Sequence, residues 1–306
     1  MKAGIKVGFS DGIQILEKTK AKYCEVWFRL DWDKKYTPLF QYCRENKVNF
    51  GLHFWATVDG KYFPNLLNLN DKITSKTYSL IKKTIDIASR WGAKYVNFHP
   101  ESYRLNLLDL DKGKIKTLNL DEPIDREKSF SQLLFYLGKI KKYADIKGVI
   151  PFLETVPKYA VADFKNLKKG RLKPQKCEGL ETERFFELGK MGFPLCLDIG
   201  HTLGQLLTED KDELFNYLFS ASQKMVDYIG LIHVTTNVSP FNGADSHHGI
   251  LEQDFREGVV PNKEQLMKLF SLFKDRDVWL IPEPQDKKMI ENYFALKKIV
   301  RKVEKE

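Results

Sequence analysis

The chain has no unbroken apolar run of about 18 residues, the length that a membrane-spanning helix requires, and this excludes a membrane-spanning protein. Residues 1–7 also lack the apolar core and cleavage site of a signal peptide, so a cytoplasmic location is expected. The four cysteines have no paired spacing, which favours reduced thiols. Residues 8–12 lack the G-x-G-x-x-G spacing of a dinucleotide-binding turn, which argues against a doubly wound open sheet.

What the sequence does contain is an excess of positive charge. Its 306 residues include 50 Lys and Arg against 41 Asp and Glu, a formal net charge of +9 at pH 7. Such an excess favours an anionic partner such as nucleic acid, although many basic proteins bind none. Apolar residues make up 42% of the chain and charged residues 30%, which is ordinary for a globular protein with a full core.

Strand-like and helix-like segments alternate along the whole chain. Strands are predicted at 5–9, 23–28, 48–52, 93–98, 149–153, 193–198, 228–232 and 278–281. The helices between and after them are predicted at 13–20, 38–45, 73–91, 130–143, 182–191, 213–225, 263–273 and 287–303. This alternation predicts an α/β fold, a closed parallel (β/α)8 TIM barrel. No linker or repeat interrupts the pattern, so residues 1–306 are predicted to form a single domain.

Metal-ligating side chains collect at the ends of the predicted strands. Three histidines and three carboxylates end strands or come just after them, and the loops after strands six and seven add two histidines and an aspartate. The nine candidates are His53, His99, Glu154, Asp198, His201, His233, Asp245, His247 and Glu283. Because the ends of parallel barrel strands converge on one mouth, these side chains are expected to share one pocket at the C-terminal face of the strands.

Nine such ligands are too many for one tetrahedral zinc ion. They suit roughly two or three divalent ions that share bridging carboxylates. Without cations, the clustered carboxylates would disfavour one another's ionised state. Taken singly, a histidine after a strand is more often structural, and a glutamate there can cap the next helix. Taken together, the cluster favours a multinuclear metal centre.

The ordered motifs resemble those of the endonuclease IV family, the trinuclear-zinc apurinic/apyrimidinic endonucleases of the xylose isomerase-like barrel superfamily. The motifs are His53, His99-Pro100, Glu154, Asp198-Ile199-Gly200-His201, His233, Asp245-Ser246-His247 and Pro282-Glu283-Pro284. The resemblance spans strands three to eight, which is most of the chain.

The resemblance implies three zinc sites, with Mn²⁺ as an alternative metal. The three sites would be His53, His99 and Glu154; Glu154, Asp198, His233 and Glu283; and His201, Asp245 and His247. It implies hydrolysis of the phosphodiester 5′ to an abasic nucleotide in DNA, in base excision repair. Glu154 would bridge two metals and help to orient the nucleophile, which makes it the candidate catalytic residue. The abasic sugar would be flipped out of the duplex.

A basic segment follows strand five on the same predicted face. Its candidate nucleic-acid contacts are Lys165, Lys168, Lys169, Arg171 and Lys173. These charges are able to follow a phosphate backbone and to give salt-dependent binding. The alternative is a solvated loop, which a run of like charges usually is.

Two other functions fit parts of the same pattern. A sugar isomerase or epimerase would use Glu154, Asp198, His233 and Glu283 around a single metal, with the two glutamates as acid and base and a small sugar as substrate. His53 and His99 have no evident role in such a site. A third alternative is a basic nucleic-acid-binding barrel whose metals are structural. No membrane or protein partner is indicated.

Overall fold

The computed structural model describes residues 1–109, 114–118, 123–160, 175–176, 178–239, 241, 243, 246–284 and 288–305. Within these ranges, nine strand segments form one parallel sheet. They are β1 (Lys2–Ala3), β2 (Ile5–Val7), β3 (Tyr23–Arg29), β4 (Asn49–Trp55), β5 (Tyr95–Phe98), β8 (Ile150–Glu154), β11 (Leu195–Asp198), β12 (Ile229–Val234) and β13 (Trp279–Pro282). Outside this sheet lie two short antiparallel pairs, the hairpin of β6 (Asn106–Asp109) with β7 (Lys114–Thr117) and the pair of β9 (Tyr159–Ala160) with β10 (Gln175–Lys176).

The sheet closes on itself through its first strand. Segment β1 pairs with β13, and segment β2, which follows after Gly4, pairs with β3. The first strand therefore joins the last strand on one side and the second strand on the other, and the strand order runs β1-β13-β12-β11-β8-β5-β4-β3-β2. The predicted (β/α)8 barrel is confirmed.

Helices separate the strands as predicted. They are α1 (Gly12–Thr19), α2 (Thr37–Glu45), α3 (Asp71–Trp91), α4 (Arg126–Lys147), α5 (Thr182–Lys190), α6 (Ile199–Leu203), α7 (Lys211–Met225), α8 (Glu252–Arg256), α9 (Lys263–Ser271) and α10 (Met289–Lys305), with a 3₁₀ segment at Leu30–Tyr36. Helices α3 and α4 have clear boundaries. Asn70 and Asp125 cap their amino ends by accepting backbone N–H bonds, and Gly92 and Gly148 end them in the left-handed conformation.

Three local predictions were wrong. Strands β4 and β12 run past their predicted ends, because pairing with their neighbours continues to Trp55 and Val234. His53 and His233 therefore lie inside strands rather than after them. Residues 100–125, where no strand or helix is predicted, contain the β6–β7 hairpin, and the segment after strand six, expected to be a loop, begins with helix α6.

The core has two parts. A large apolar cluster fills the space between the sheet and the surrounding helices. A smaller cluster fills the barrel interior below the mouth and consists of Tyr95, Phe152, Cys196, Leu231, Trp279 and Ile281. Cys24, Cys43 and Cys196 are buried free thiols, as predicted. Among the described residues, no helix combines the length and apolar character that crossing a bilayer requires.

Gly51 on β4 lets the Tyr95 ring lie across the barrel interior, since a Cβ at Gly51 would overlap that ring. We expect Gly51→Ala to lower the free energy of unfolding by about 1–3 kcal/mol, because the ring has to shift within a close-packed interior. Urea unfolding measures the change. Gly138→Ala is the control: it is exposed in helix α4 with no atom within 4 Å of the added Cβ, and it should stabilise by about 0.5–1 kcal/mol. A fully stable Gly51→Ala variant would contradict this packing.

Candidate metal centre

Parallel register brings the functional side chains to one level of the barrel. His53 on β4 is the register partner of Asn97 on β5, and Asp198 on β11 is the partner of His233 on β12. Glu154 ends β8. Neighbouring residues in register point to the same side of a sheet, so these side chains meet at the mouth of the barrel.

Glu154 lies at the centre of this group, and it is completely buried. Its Oε1 is 3.2 Å from His99 Nε2, 3.2 Å from His233 Nδ1 and 3.3 Å from His201 Nδ1. Its Oε2 is 3.5 Å from His53 Nε2 and accepts a hydrogen bond from the Asn97 amide. One carboxylate therefore contacts four histidines that are far apart in the sequence.

Asp198 and His201 are placed by the short helix α6. Asp198 ends β11 and caps this helix, since its Oδ1 accepts the backbone N–H of His201 at 2.8 Å. His201 Nδ1 lies 2.8 Å from the carbonyl oxygen of Thr155. That carbonyl is an acceptor, so Nδ1 carries the ring proton when the imidazole is neutral. The other oxygen of Asp198, Oδ2, lies 3.6 Å from His233 Nδ1.

His233 is held between two further carboxylates. Its Nδ1 lies 2.9 Å from Glu283 Oε2. Its Nε2 lies 2.9 Å from Glu25 Oε1, but the angle at this contact does not allow a hydrogen bond. His247 approaches from the loop after β12. Its Nδ1 is 3.0 Å from the Glu283 carbonyl oxygen, and its ring centroid is 5.7 Å from that of His201.

Three residues of the site were not predicted from the sequence: Lys6, Glu25 and Asn97. Lys6 on β2 and Glu25 on β3 are register partners that point into the barrel, with Nζ and Oε1 3.2 Å apart. The Tyr95 hydroxyl donates to the other oxygen of Glu25 at 3.1 Å. The third residue is Asn97, the donor to Glu154. The sequence carries a signal for two of them, since Lys6 and Glu25 are charged residues inside short apolar strands. A buried charge of this kind needs a partner.

The remaining predicted residues fall into two groups. Asp245 and the basic residues Lys165, Lys168, Lys169, Arg171 and Lys173 lie outside the described residues. His248, which shares a loop with His247, turns towards Ser246 and Glu257 rather than towards the other histidines.

The charges in the centre stabilise one another. Burial would raise the pKa of Glu154, but His233 and His99 hold it well below its usual value. Burial would also raise the pKa of Glu25, but His233 and Lys6 lower it. Conversely, burial opposes the charge of Lys6, and the carboxylates of Glu283 and Glu25 outweigh burial and raise its pKa. Glu154 and Glu25 are therefore ionised at neutral pH.

The donor set fits divalent metal ions. Among the described residues, side-chain ligand atoms within 4.8 Å of one another form four groups: Glu25, His53, His233 and Glu283; His53, His99 and Glu154; Glu154, Cys196 and His233; and Glu154, Asp198 and His201. Several buried atoms of these groups make no hydrogen bond within the described part of the chain: His53 Nε2, His99 Nε2, His233 Nε2, Asp198 Oδ2 and Glu283 Oε2. Buried polar atoms normally have partners, and imidazole nitrogens with carboxylate oxygens are suitable ligands for zinc.

Metal affinity should rise with pH. Burial lowers the pKa of His99, but the Glu154 carboxylate outweighs it and raises the pKa to about 9; the pKa of His233 is raised as well. A protonated imidazole has to lose its proton before it binds a metal. The logarithm of the affinity should therefore rise by at least about one per pH unit from pH 7 to about 9, where His99 loses its proton. Calorimetric titration of the metal-free protein with Zn²⁺, in buffers of different ionisation enthalpy, measures the protons released; release of none at pH 7 would contradict the expectation.

The fold and these ligands define the class of protein. Residues 10–291 match the sequence profile of the xylose isomerase-like TIM barrel family, and the chain belongs to that family. A search among curated proteins finds no significant match.

Solved structures share the fold over almost their whole length. A D-tagatose 3-epimerase-like protein is 16% identical with a TM-score of 0.63, covering 100% of this chain and 99% of its own. L-ribulose 3-epimerase is 13% identical with a TM-score of 0.64, covering 100% and 96%. Endonuclease IV from Thermus thermophilus is 13% identical with a TM-score of 0.61, covering 99% and 100%. At these identities the likeness establishes the barrel alone, and both sugar epimerases and a nuclease carry it.

Proposed function

We propose that this protein is a metal-dependent phosphodiesterase that cleaves DNA on the 5′ side of an abasic site. The observation that carries the proposal is the position of Glu154. Its carboxylate is shared between His99, whose Nε2 lies 3.2 Å from Oε1, and the potential metal group with Asp198 and His201. A carboxylate shared between two ligand groups suits a multinuclear centre, which is the arrangement that in-line phosphodiester hydrolysis uses.

The chain's own residues account for the organisation of such a centre. When bound, Zn²⁺ or Mn²⁺ polarises a phosphoryl oxygen and activates water. Asn97 fixes the orientation of the Glu154 carboxylate by its hydrogen bond to Oε2. Asp198 is fixed in the same way by the amino end of helix α6. Rigid support of this kind holds the ligands in one geometry, as a reaction of fixed stereochemistry requires.

An aromatic pair beside the centre suits a nucleic-acid substrate. The Trp27 ring is 51% exposed at the mouth and lies edge-on to the Trp55 ring, with centroids 5.8 Å apart. The Trp55 ring lies 5.9 Å from that of His53. An exposed aromatic face next to the ligands offers a stacking surface for a base that flanks the abasic nucleotide. The net charge of +9 favours the same polyanionic partner.

The decisive test is incubation of the metal-loaded protein with a duplex that contains one tetrahydrofuran abasic analogue. We expect a nick on the 5′ side of the analogue and none in the matched intact duplex. Binding without a nick, with metals present by elemental analysis, would remove the hydrolase proposal and favour a nucleic-acid-binding barrel with structural metals.

A second candidate is a sugar isomerase or epimerase. Glu283 and Glu154 both approach His233 Nδ1, at 2.9 and 3.2 Å, and Asp198 lies close by. This four-residue set suits one metal flanked by two carboxylates, which could move a proton next to a sugar carbonyl. Exchange of solvent deuterium into ketohexoses would test it. Deuterium incorporation without DNA cleavage would select this function over the first.

A further inference from the structure

The barrel contains a positive charge of its own at the metal centre. Lys6 is only 4% exposed, and its Nζ lies 3.2 Å from Glu25 Oε1 and 2.6 Å from His53 Nδ1. It also forms a close ion pair with Glu283 Oε1. These three partners belong, together with His233, to one of the four potential metal groups. The ammonium therefore contacts three of the four ligands that a metal ion would need there.

The contact with Lys6 also fixes the role of His53. A lysine ammonium is only a donor, so His53 Nδ1 has to be the acceptor in their hydrogen bond. The neutral ring then carries its proton on Nε2, the nitrogen that faces Glu154 Oε2 at 3.5 Å. A nitrogen that carries a proton has no lone pair for a metal. While Lys6 occupies this position, neither ring nitrogen of His53 is free to bind an ion.

We propose that Lys6 is a built-in cation that fills the group of Glu25, His53, His233 and Glu283 and keeps divalent ions out of it. Metals then bind through Glu154, Asp198, His201 and His99, and His53 is not one of their ligands. This inference rests on the proposed metal centre but not on its substrate.

Charge balance supports this assignment. The group contributes two carboxylates and two imidazoles, which is a complete tetrahedral ligand set for zinc. The ammonium balances one of the two negative charges, and a divalent ion would balance both. Replacing Lys6 by an uncharged side chain of similar length should therefore convert the group into an additional metal site.

The test counts the metal ions bound to four variants, after loading with Zn²⁺ and dialysis, by elemental analysis and calorimetric titration. Lys6→Met should bind about one more ion per chain than the natural protein. His53→Gln alone should leave the ion count unchanged, because His53 is not a ligand while Lys6 is present. In the Lys6→Met background, His53→Gln should abolish the extra ion.

Lys2→Met is the matched control. Lys2 lies on segment β1, pairs with Asp277 and is one-third exposed at the opposite end of the barrel, so its loss should change no count. An unchanged or lower count in Lys6→Met, or loss of an ion in His53→Gln alone, would overturn the inference. If Lys6→Met does not fold, the ion count of His53→Gln alone still tests the inference. These counts do not depend on incision, so failure of the inference and failure of the proposed reaction are distinguishable.

Discussion

Glu154→Gln is expected to lower the rate of incision at an abasic site by about a thousandfold or more. Glutamine keeps the shape of the side chain but removes the negative charge that the surrounding histidines contact. It also replaces one acceptor oxygen by an amide donor, which would face His201, His233, His99 or Asn97, depending on its orientation. Both changes weaken the shared ligand, so the ion count should fall with the rate.

The experiment combines single-turnover incision with elemental analysis on the same preparation. Glu304→Gln is the conservative control, since this glutamate lies in helix α10 and pairs with the amino terminus. It should incise at the natural rate. Natural rates in Glu154→Gln, with metals bound, would remove Glu154 from the catalytic centre.

Metal removal is expected to lower the melting temperature by roughly 6 °C. Ions present at a thousand times their dissociation constant stabilise the folded state by about 4 kcal/mol, and a chain of this length loses about 1.5 °C per kcal/mol. The physical cause is the pair of buried carboxylates Glu154 and Asp198, which lose their divalent counter-charges. Lys6 and protonated His99 compensate in part, so the metal-free protein should still fold.

Scanning calorimetry of chelator-treated protein, before and after Zn²⁺ or Mn²⁺ is restored, measures this shift. The metal that restores the higher melting temperature at the lower concentration is the better candidate for the resident ion. An identical melting temperature with and without metal, in protein shown to bind it, would mean that the ions contribute little to the folded state.

The barrel was predictable because each strand is a short apolar run with a helix-length segment after it. The candidate ligands were predictable for a related reason: His99, Glu154 and Asp198 interrupt or end such runs, where a polar side chain needs an explanation. The (β/α)8 topology then places strand ends at one mouth. His53 and His233 were found in spite of an error in the strand ends, because their side chains still point into the barrel.

Lys6 and Glu25 were missed because a charge in the middle of a strand is ambiguous in sequence. Because side chains alternate between the two faces of a strand, a charged residue there can point outwards or into the barrel. In a parallel barrel, only the register of the strand decides which of the two it does. Helix α6 was missed because its five residues follow directly on a strand and include a glycine. Asp245 and the basic segment lie outside the described residues, so their assigned roles stay predictions.

The divided first strand has a consequence for folding. Segment β1 pairs with β13 and segment β2 with β3, so closure joins the two most distant parts of the sequence. Contacts between such distant segments form slowly, because a long loop has to close before they are gained. Until then β3 and β13 are open sheet edges, which are prone to pair with other chains. The ion pair of Lys6 with Glu283 spans this seam, so the charged interior of the site is completed in the same late step that protects the nascent barrel from aggregation.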